Sequence, residues 1–318
     1  MIKHRLAVGS LLCLLIASVP GLRAQEPASI FITLGTQAGP GADKLRSQPA
    51  SLLIAGDQII LIDAGDGAAE QLAKVDVPLA KVRTILISHT HFDHIGGLFA
   101  LLGMRYQTQT SERLTIYGPP GIKRVVEGLI EAMRASVVAK ANMRGSKPDD
   151  NIDIREIGDG STVSLGPIRI TVAENSHYSA TFDAGESTER SLSYRFALAD
   201  RTIVYTGDTG PSENVERLAA GVDLLVSEVV DPAAAMARIE EKSGGGVAFM
   251  LLKPVLARHM AQEHLSPENV GRLAAKAGVK RLVLTHIQIG QNGFDEALAA
   301  IKAHYKGPVV FAEDLGRY

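Results

Sequence analysis

His89, His91, Asp93 and His94 stand within six consecutive residues, His89-Thr90-His91-Phe92-Asp93-His94. Three imidazoles and a carboxylate packed so densely are costly to fold unless something binds them. Together they suit Zn²⁺ and related divalent ions. A lone histidine would read as structural; this cluster reads as a metal site. Three later residues share one kind of place in the chain. His177 follows the apolar run 168–173, Asp208 follows 202–205, and His286 follows 281–285. Each is a polar group just past a β-like run, so one edge of a sheet would present them together. Singly, Asp208 could cap the next helix and His177 could be a loop residue; their shared position favours a joint role.

The surrounding chain has the elements to position them. Residues 29–34, 51–55 and 58–63 read as short strands, with Gly56-Asp57 suggesting a tight hairpin. Residues 82–88 form an apolar strand leading into the histidine loop, and a helix is expected from Gly96 to Leu102. Strand 114–117 is followed by helical periodicity over 122–141. The second half repeats the theme, with strands at 154–157, 162–165, 168–173, 193–197, 202–205, 223–227 and 281–285. Helices are expected over 212–220, 267–277 and 295–304. With no sequence repeat and no Pro/Ser-rich linker, one domain of mixed sheets covered by helices is the economical reading.

Residues 1–24 are expected to lie outside that domain. Lys3 and Arg5 precede an apolar run to Val19, Pro20-Gly21 ends it, and Ala24 offers a small residue at a cut. This is the layout of a secretory signal peptide. The run is short for a membrane span, so residues 25–318 are expected in the periplasm or medium, with no membrane attachment after cleavage. The only cysteine, Cys13, lies in that leader, so no thiol serves as a ligand in the mature chain. The leader holds three of the 33 Lys and Arg and none of the 35 Asp and Glu, leaving 30 against 35, a balance of −5. Proteins gripping phosphate backbones usually show a basic excess, and Trp is absent here. No nucleic-acid partner is expected; the expected partner is a small-molecule ester, with a homodimer left open.

The order HxHxDH, then His177, then Gly207-Asp208-Thr209, then Leu284-Thr285-His286 resembles the metallo-β-lactamase superfamily from about Ile30 to the C-terminus. The resemblance implies an α+β four-layer αββα sandwich, with two mixed sheets face to face and helices outside. It implies two divalent ions, Zn²⁺ first, with Mn or Fe as alternatives. His89, His91 and His177 would hold one ion, Asp93, His94 and His286 the other, and Asp208 would bridge them.

Within the superfamily, Leu34-Gly35-Thr36, Ile62-Asp63-Ala64-Gly65, Tyr117-Gly118-Pro119, the segment 223–228 and His264-Leu265-Ser266 resemble the ribonuclease Z and arylsulfatase-like branch. Three departures stand out. Only 31 positions separate His177 from Asp208, too few for the tRNA-clamping arm of many ribonuclease Z proteins. Ile287-Gln288-Ile289-Gly290 replaces the branch's residues after the last histidine, and 36 positions separate Glu228 from His264. That last stretch carries an apolar run, 247–256, which reads equally as a substrate wall or lid and as an extra surface helix. The departures, the leader and the acidic balance argue against tRNA processing.

Two divalent ions a few ångströms apart make a shared water acidic enough to act as hydroxide near neutral pH. Asp93 is expected to orient or deprotonate that nucleophile, His264 to protonate the leaving oxygen, and Glu228 to fix the charge and tautomer of His264. His259 reads as a surface residue, and His304 has no expected role. The leading expectation is hydrolysis of a phosphodiester or sulfate ester. The alternatives are a lactonase or carboxylic-ester hydrolase on the same centre, or a non-hydrolytic metal-binding or redox module. Against the module, diiron redox relatives carry Glu where His91 stands. True β-lactamases lack the bridging aspartate.

Overall fold

The computed structural model describes residues 29–39, 41–137, 147–179, 189–290 and 292–318. The expected leader and residues 138–141 of the expected long helix lie outside them. The described chain forms two seven-stranded sheets. In the first, β1 (Ser29–Gly35), β2 (Ala50–Ala55) and β3 (Gln58–Ile62) run antiparallel. Then β4 (Thr84–Leu86), β5 (Leu114–Gly118) and β6 (Ile152–Glu156) follow in parallel. The second sheet repeats the plan. Its antiparallel part is β7 (Thr162–Leu165), β8 (Ile168–Glu174), β9 (Leu192–Ala197) and β10 (Thr202–Tyr205). Its parallel part continues through β11 (Leu224–Val230), β12 (Leu282–Gln288) and β13 (Val309–Phe311). The last strand, β14 (Gly316–Arg317), returns to pair with β1, the first strand among the described residues.

Side chains alternate between the faces of a strand, and both faces are buried here, so the strands read as nearly continuous apolar runs. Phe31, Ile60, Leu86, Tyr194, Phe196 and Ile203 fill the layer between the sheets. Their neighbours Ile32, Leu61 and Ile85 face outward beneath α1 (Ala68–Lys74), α3 (Leu98–Gln107) and α4 (Ile122–Val137). Between α1 and α3 lies the single turn α2 (Phe92–Ile95). Val204, Leu225 and Leu284 face outward beneath α5 (Glu213–Leu218), α8 (Pro267–Lys276) and α9 (Phe294–His304). This is the expected αββα sandwich.

The strand expected over 82–88 is shorter, because the chain leaves a 3₁₀ turn at Leu79–Lys81 and bends away after Leu86. There Ser88 turns to donate its N–H to Asp63 Oδ1 at 2.7 Å. The stretch between Glu228 and His264 forms a helical hairpin, α6 (Pro232–Ser243) and α7 (Val247–Gln262). Asp231 caps α6 through the N–H groups of Ala233 and Ala234, Pro232 opens its first turn, and Gly244 ends it in the left-handed region. Among the described residues no helix is long and apolar enough to cross a membrane.

Candidate metal centre

The polar residues singled out by strand-end position meet at one edge of the sandwich. One donor set is His89, His91 and His177; the other is Asp93, His94, Asp208 and His286. Within each set the donor atoms lie within 4.8 Å of one another. Asp208 faces both: its Oδ2 is 3.8 Å from His89 Nε2 and 3.1 Å from His286 Nε2, and its Oδ1 is 3.3 Å from His94 Nε2.

Each ligand is aimed by the structure behind it. His94 Nδ1 lies 2.8 Å from Asp63 Oδ2, and Asp63 also accepts from the Ser88 hydroxyl at 2.8 Å and the Tyr205 hydroxyl at 2.7 Å. The imidazole's other nitrogen, Nε2, is thereby turned toward Asp208. His177 Nδ1 lies 2.9 Å from the carbonyl oxygen of Glu263, just past α7, which fixes its tautomer and turns Nε2 to within 3.1 Å of His91 Nδ1. His286 sits at a bulge: Glu228 pairs with Thr285 and Val229 with Ile287, so His286 is left out of the ladder with φ 45°. The bulge re-aims its side chain inward.

The donor set fits divalent cations on its own chemistry. Buried polar atoms normally find hydrogen-bond partners. Here His89 Nε2, His94 Nε2, Asp208 Oδ1 and His286 Nε2 are buried without one. Burial pushes the His89 and His177 imidazoles well below their ordinary pKa, which leaves lone pairs free. Burial would also lower His94, but the carboxylates of Asp208, Asp63 and Asp93 outweigh it and push the imidazole well up. Burial opposes ionisation of Asp93, yet His94 and His286 hold its carboxyl at about 2. Four buried carboxylates, those of Asp63, Asp93, Asp208 and Glu228, gather where water is scarce. A fixed cation would balance them.

Glu228 and His264 lie beside the ligands. Glu228 Oε2 is 2.7 Å from His264 Nδ1, and its Oε1 accepts from the Thr209 N–H. Burial would lower the His264 pKa, but Glu228, with Asp208 and Glu263 behind it, raises it to about 9. His264 stacks on His286 with ring centres 5.9 Å apart and planes 10° apart. His259 is not the surface residue expected. It lines the cleft above Asp93 and Asp208, with its Nδ1 against the Glu263 carboxylate, because α7 brings its last turn over the site. His304 lies away, 3.6 Å from Glu268 on α8.

Sequence reasoning assigned no role to two further residues. Asp63 was visible only as part of a motif, and its aim at His94 depends on a positive φ of 57° at the end of β3. At Gly39, a Cβ would stand 2.0 Å from Asp93 Oδ2, so the loop after β1 passes directly over that carboxylate. No local pattern announces such an approach.

A family model described as Beta-lactamase superfamily domain matches residues 58–287, and the chain belongs to that family. Its similarity runs to the ribonuclease Z branch. It is 29% identical to Ribonuclease Z of Mycobacterium avium (strain 104) over 296 residues, covering 91% of this chain and 97% of that one. It is 28% identical to Ribonuclease Z of Mycolicibacterium gilvum (strain PYR-GCK) over 302 residues, covering 91% and 95%. In structure it resembles the metallo-beta-lactamase fold protein YhfI from Bacillus subtilis, with TM-score 0.65, 20% identity, and 91% and 98% of the two chains covered. It also resembles the short form of human tRNase Z, with TM-score 0.62, 19% identity and the same coverage. These relatives correct one expectation. Absence of a nucleic-acid partner does not stand, because relatives spanning nearly the whole chain are ribonucleases. A net charge of −2 averages over the whole surface and does not report the local potential at a cleft lined by candidate metal ligands.

Proposed function

We propose that this protein is a metal-dependent phosphodiesterase working with two divalent ions, Zn²⁺ first and Mn or Fe as alternatives, with RNA among its substrates. The observation that carries the reading is one carboxylate, Asp208, which belongs to the set with Asp93, His94 and His286 and faces His89 of the other set at 3.8 Å, with the Glu228–His264 pair alongside. The ribonuclease Z relatives favour a phosphodiester over a sulfate or carboxylic ester. His89, His91 and His177 would hold one ion and Asp93, His94 and His286 the other, with Asp208 placed between the two sets. When bound, the ions supply Lewis acidity and an acidified water as nucleophile. Asp93, held ionised by His94 and His286, would orient that water. His264 holds a proton against the pull of burial because Glu228 faces its Nδ1. Its Nε2 then donates that proton to the leaving oxygen as the P–O bond breaks. Residues 1–24 act as an export signal, which a fusion to a reporter active only outside the cytoplasm tests.

The deciding experiment pairs metal analysis of the purified protein with four assays: bis(p-nitrophenyl) phosphate with a short RNA, p-nitrophenyl sulfate, a lactone, and a β-lactam. Close to two ions per chain and selective cleavage of the phosphodiesters is the expected result. One ion or fewer at saturation, or preference for the sulfate or lactone, sinks the reading.

A further inference from the structure

The cleft over the candidate metal ligands, about 250 Å³, adjoins a second cavity of about 440 Å³. The two share Gly39, Met260, His264 and His286, so they adjoin, with the candidate ligand His286 and the candidate acid His264 at the junction. The second cavity is walled by the hairpin: Ala235 and Ile239 of α6 and Met260 of α7 give it an apolar body. Two cationic residues, Arg238 and Lys242, stand at its wall one helical turn apart on α6. Their heads converge on one point. A Cβ on Gly41 would be 2.2 Å from Lys242 Nζ and 3.7 Å from an Arg238 guanidinium nitrogen. Like charges at this helical spacing repel. Among the described residues no carboxylate comes within ion-pair distance of either; Arg238 donates to the Gln288 amide oxygen at 3.2 Å. An anion is the partner this arrangement lacks, and an arginine fork beside an ammonium is well suited to phosphate.

We propose that Arg238 and Lys242 form an anion subsite for a second negative group of the substrate, set across the apolar cavity from the bond that is cut. The substrate class is therefore a nucleotide chain whose neighbouring or terminal phosphate falls on this pair, while its nucleoside fills the apolar space. This rests on the phosphodiesterase reading and narrows it.

The test compares metal-loaded wild type with the double variant Arg238→Gln, Lys242→Gln. The substrates are a dinucleotide without a terminal phosphate and the same dinucleotide phosphorylated at its 5′ or its 3′ end. In wild type, one terminal phosphate should raise kcat/KM by about tenfold, the scale of one charge-assisted hydrogen bond. The double variant should lose that ratio, chiefly through KM. An equal ratio in the two proteins overturns the subsite. If wild type cleaves no phosphodiester at all, the functional reading fails separately. Calorimetric binding of nucleoside 5′- and 3′-monophosphates then decides the subsite: binding lost in the variant supports it, and equal binding overturns it.

Discussion

The strand ends that hold the ligands and the hairpin that roofs them are built on opposite principles. At the strand ends His89, His94, Asp63, Asp208 and Glu228 are essentially inaccessible, and the atoms that face away from the metals are tied to a second partner. In the hairpin, buried residues are few: Ala235 on α6 and Phe249 on α7. Val247, Met250, Leu251 and Leu252 remain exposed on α7. A region with few buried apolar contacts opens at lower free energy than a core strand. The two meet at few places, among them the Glu263 carbonyl that holds His177 and Gly210, where a Cβ would stand 1.8 Å from the Gln262 carbonyl oxygen. In the proposed function the strand ends carry the chemistry and the hairpin carries the choice of substrate.

The sharpest way to break this assignment is at Asp208. Asp208→Ala removes the carboxylate that faces both donor sets, so metal content should fall to one ion per chain or less. Activity should drop by roughly a thousandfold or more, the scale of losing Lewis-acid stabilisation worth several kcal/mol. Retention of two ions would mean that the strand ends do not act as one unit.

His264 comes next. His264→Ala should keep both ions and lower the rate by about 10²–10⁴, the usual worth of general acid catalysis. The loss should be smallest for nitrophenolate leaving groups, which need no proton. Because Glu228 raises the His264 pKa to about 9, the acid is present below that pH and is lost as pH rises through it. Bound cations oppose the imidazolium, so the wild-type basic limb should lie at or below about pH 9, and it should be absent in the variant. An unchanged limb would reassign it to another group.

Asp63 tests the support behind the ligands. Asp63→Asn keeps the shape but removes the charge that His94 Nδ1, Ser88 and Tyr205 address. Metal affinity should weaken by about 10–100-fold, the usual effect of losing the partner behind a ligating histidine. A chelator titration measures it, and unchanged affinity would show that packing alone orients His94.

The two regions also differ in how far the sequence announces them. Six residues rich in imidazole have few inexpensive explanations other than a metal, and His177, Asp208 and His286 each follow an apolar strand. Residue types and strand ends therefore led to the centre. Its aiming did not show, because the bulge at His286 and the positive φ at Asp63 arise from pairing between distant strands. The hairpin was least legible. The run 247–256 is apolar on nearly every side, broken only at Lys253-Pro254, so it lacks the one-sided stripe that tells a helix's inner face from its outer one. Without that stripe a substrate wall could not be told from a surface helix, and the placement of His259 over the cleft could not be read.

The smallest expected effect is at the outer face of α7. Leu251 is 74% exposed, so Leu251→Ser removes little buried area and leaves the Glu263 carbonyl on His177 in place. Stability should change by no more than about 0.5 kcal/mol, the range for surface substitutions. Metal content and turnover of bis(p-nitrophenyl) phosphate should match wild type, as denaturant unfolding, metal analysis and steady-state kinetics would record. The value of this variant is that it separates the two regions. If metal content fell, the whole hairpin would belong to the frame that holds His177, and chemistry and substrate choice could not be assigned apart. If metal and turnover held while the hairpin's backbone amides exchanged faster with solvent, the hairpin would be a loosely attached roof. Its substitutions could then alter which substrate is held without disturbing how the bond is cut.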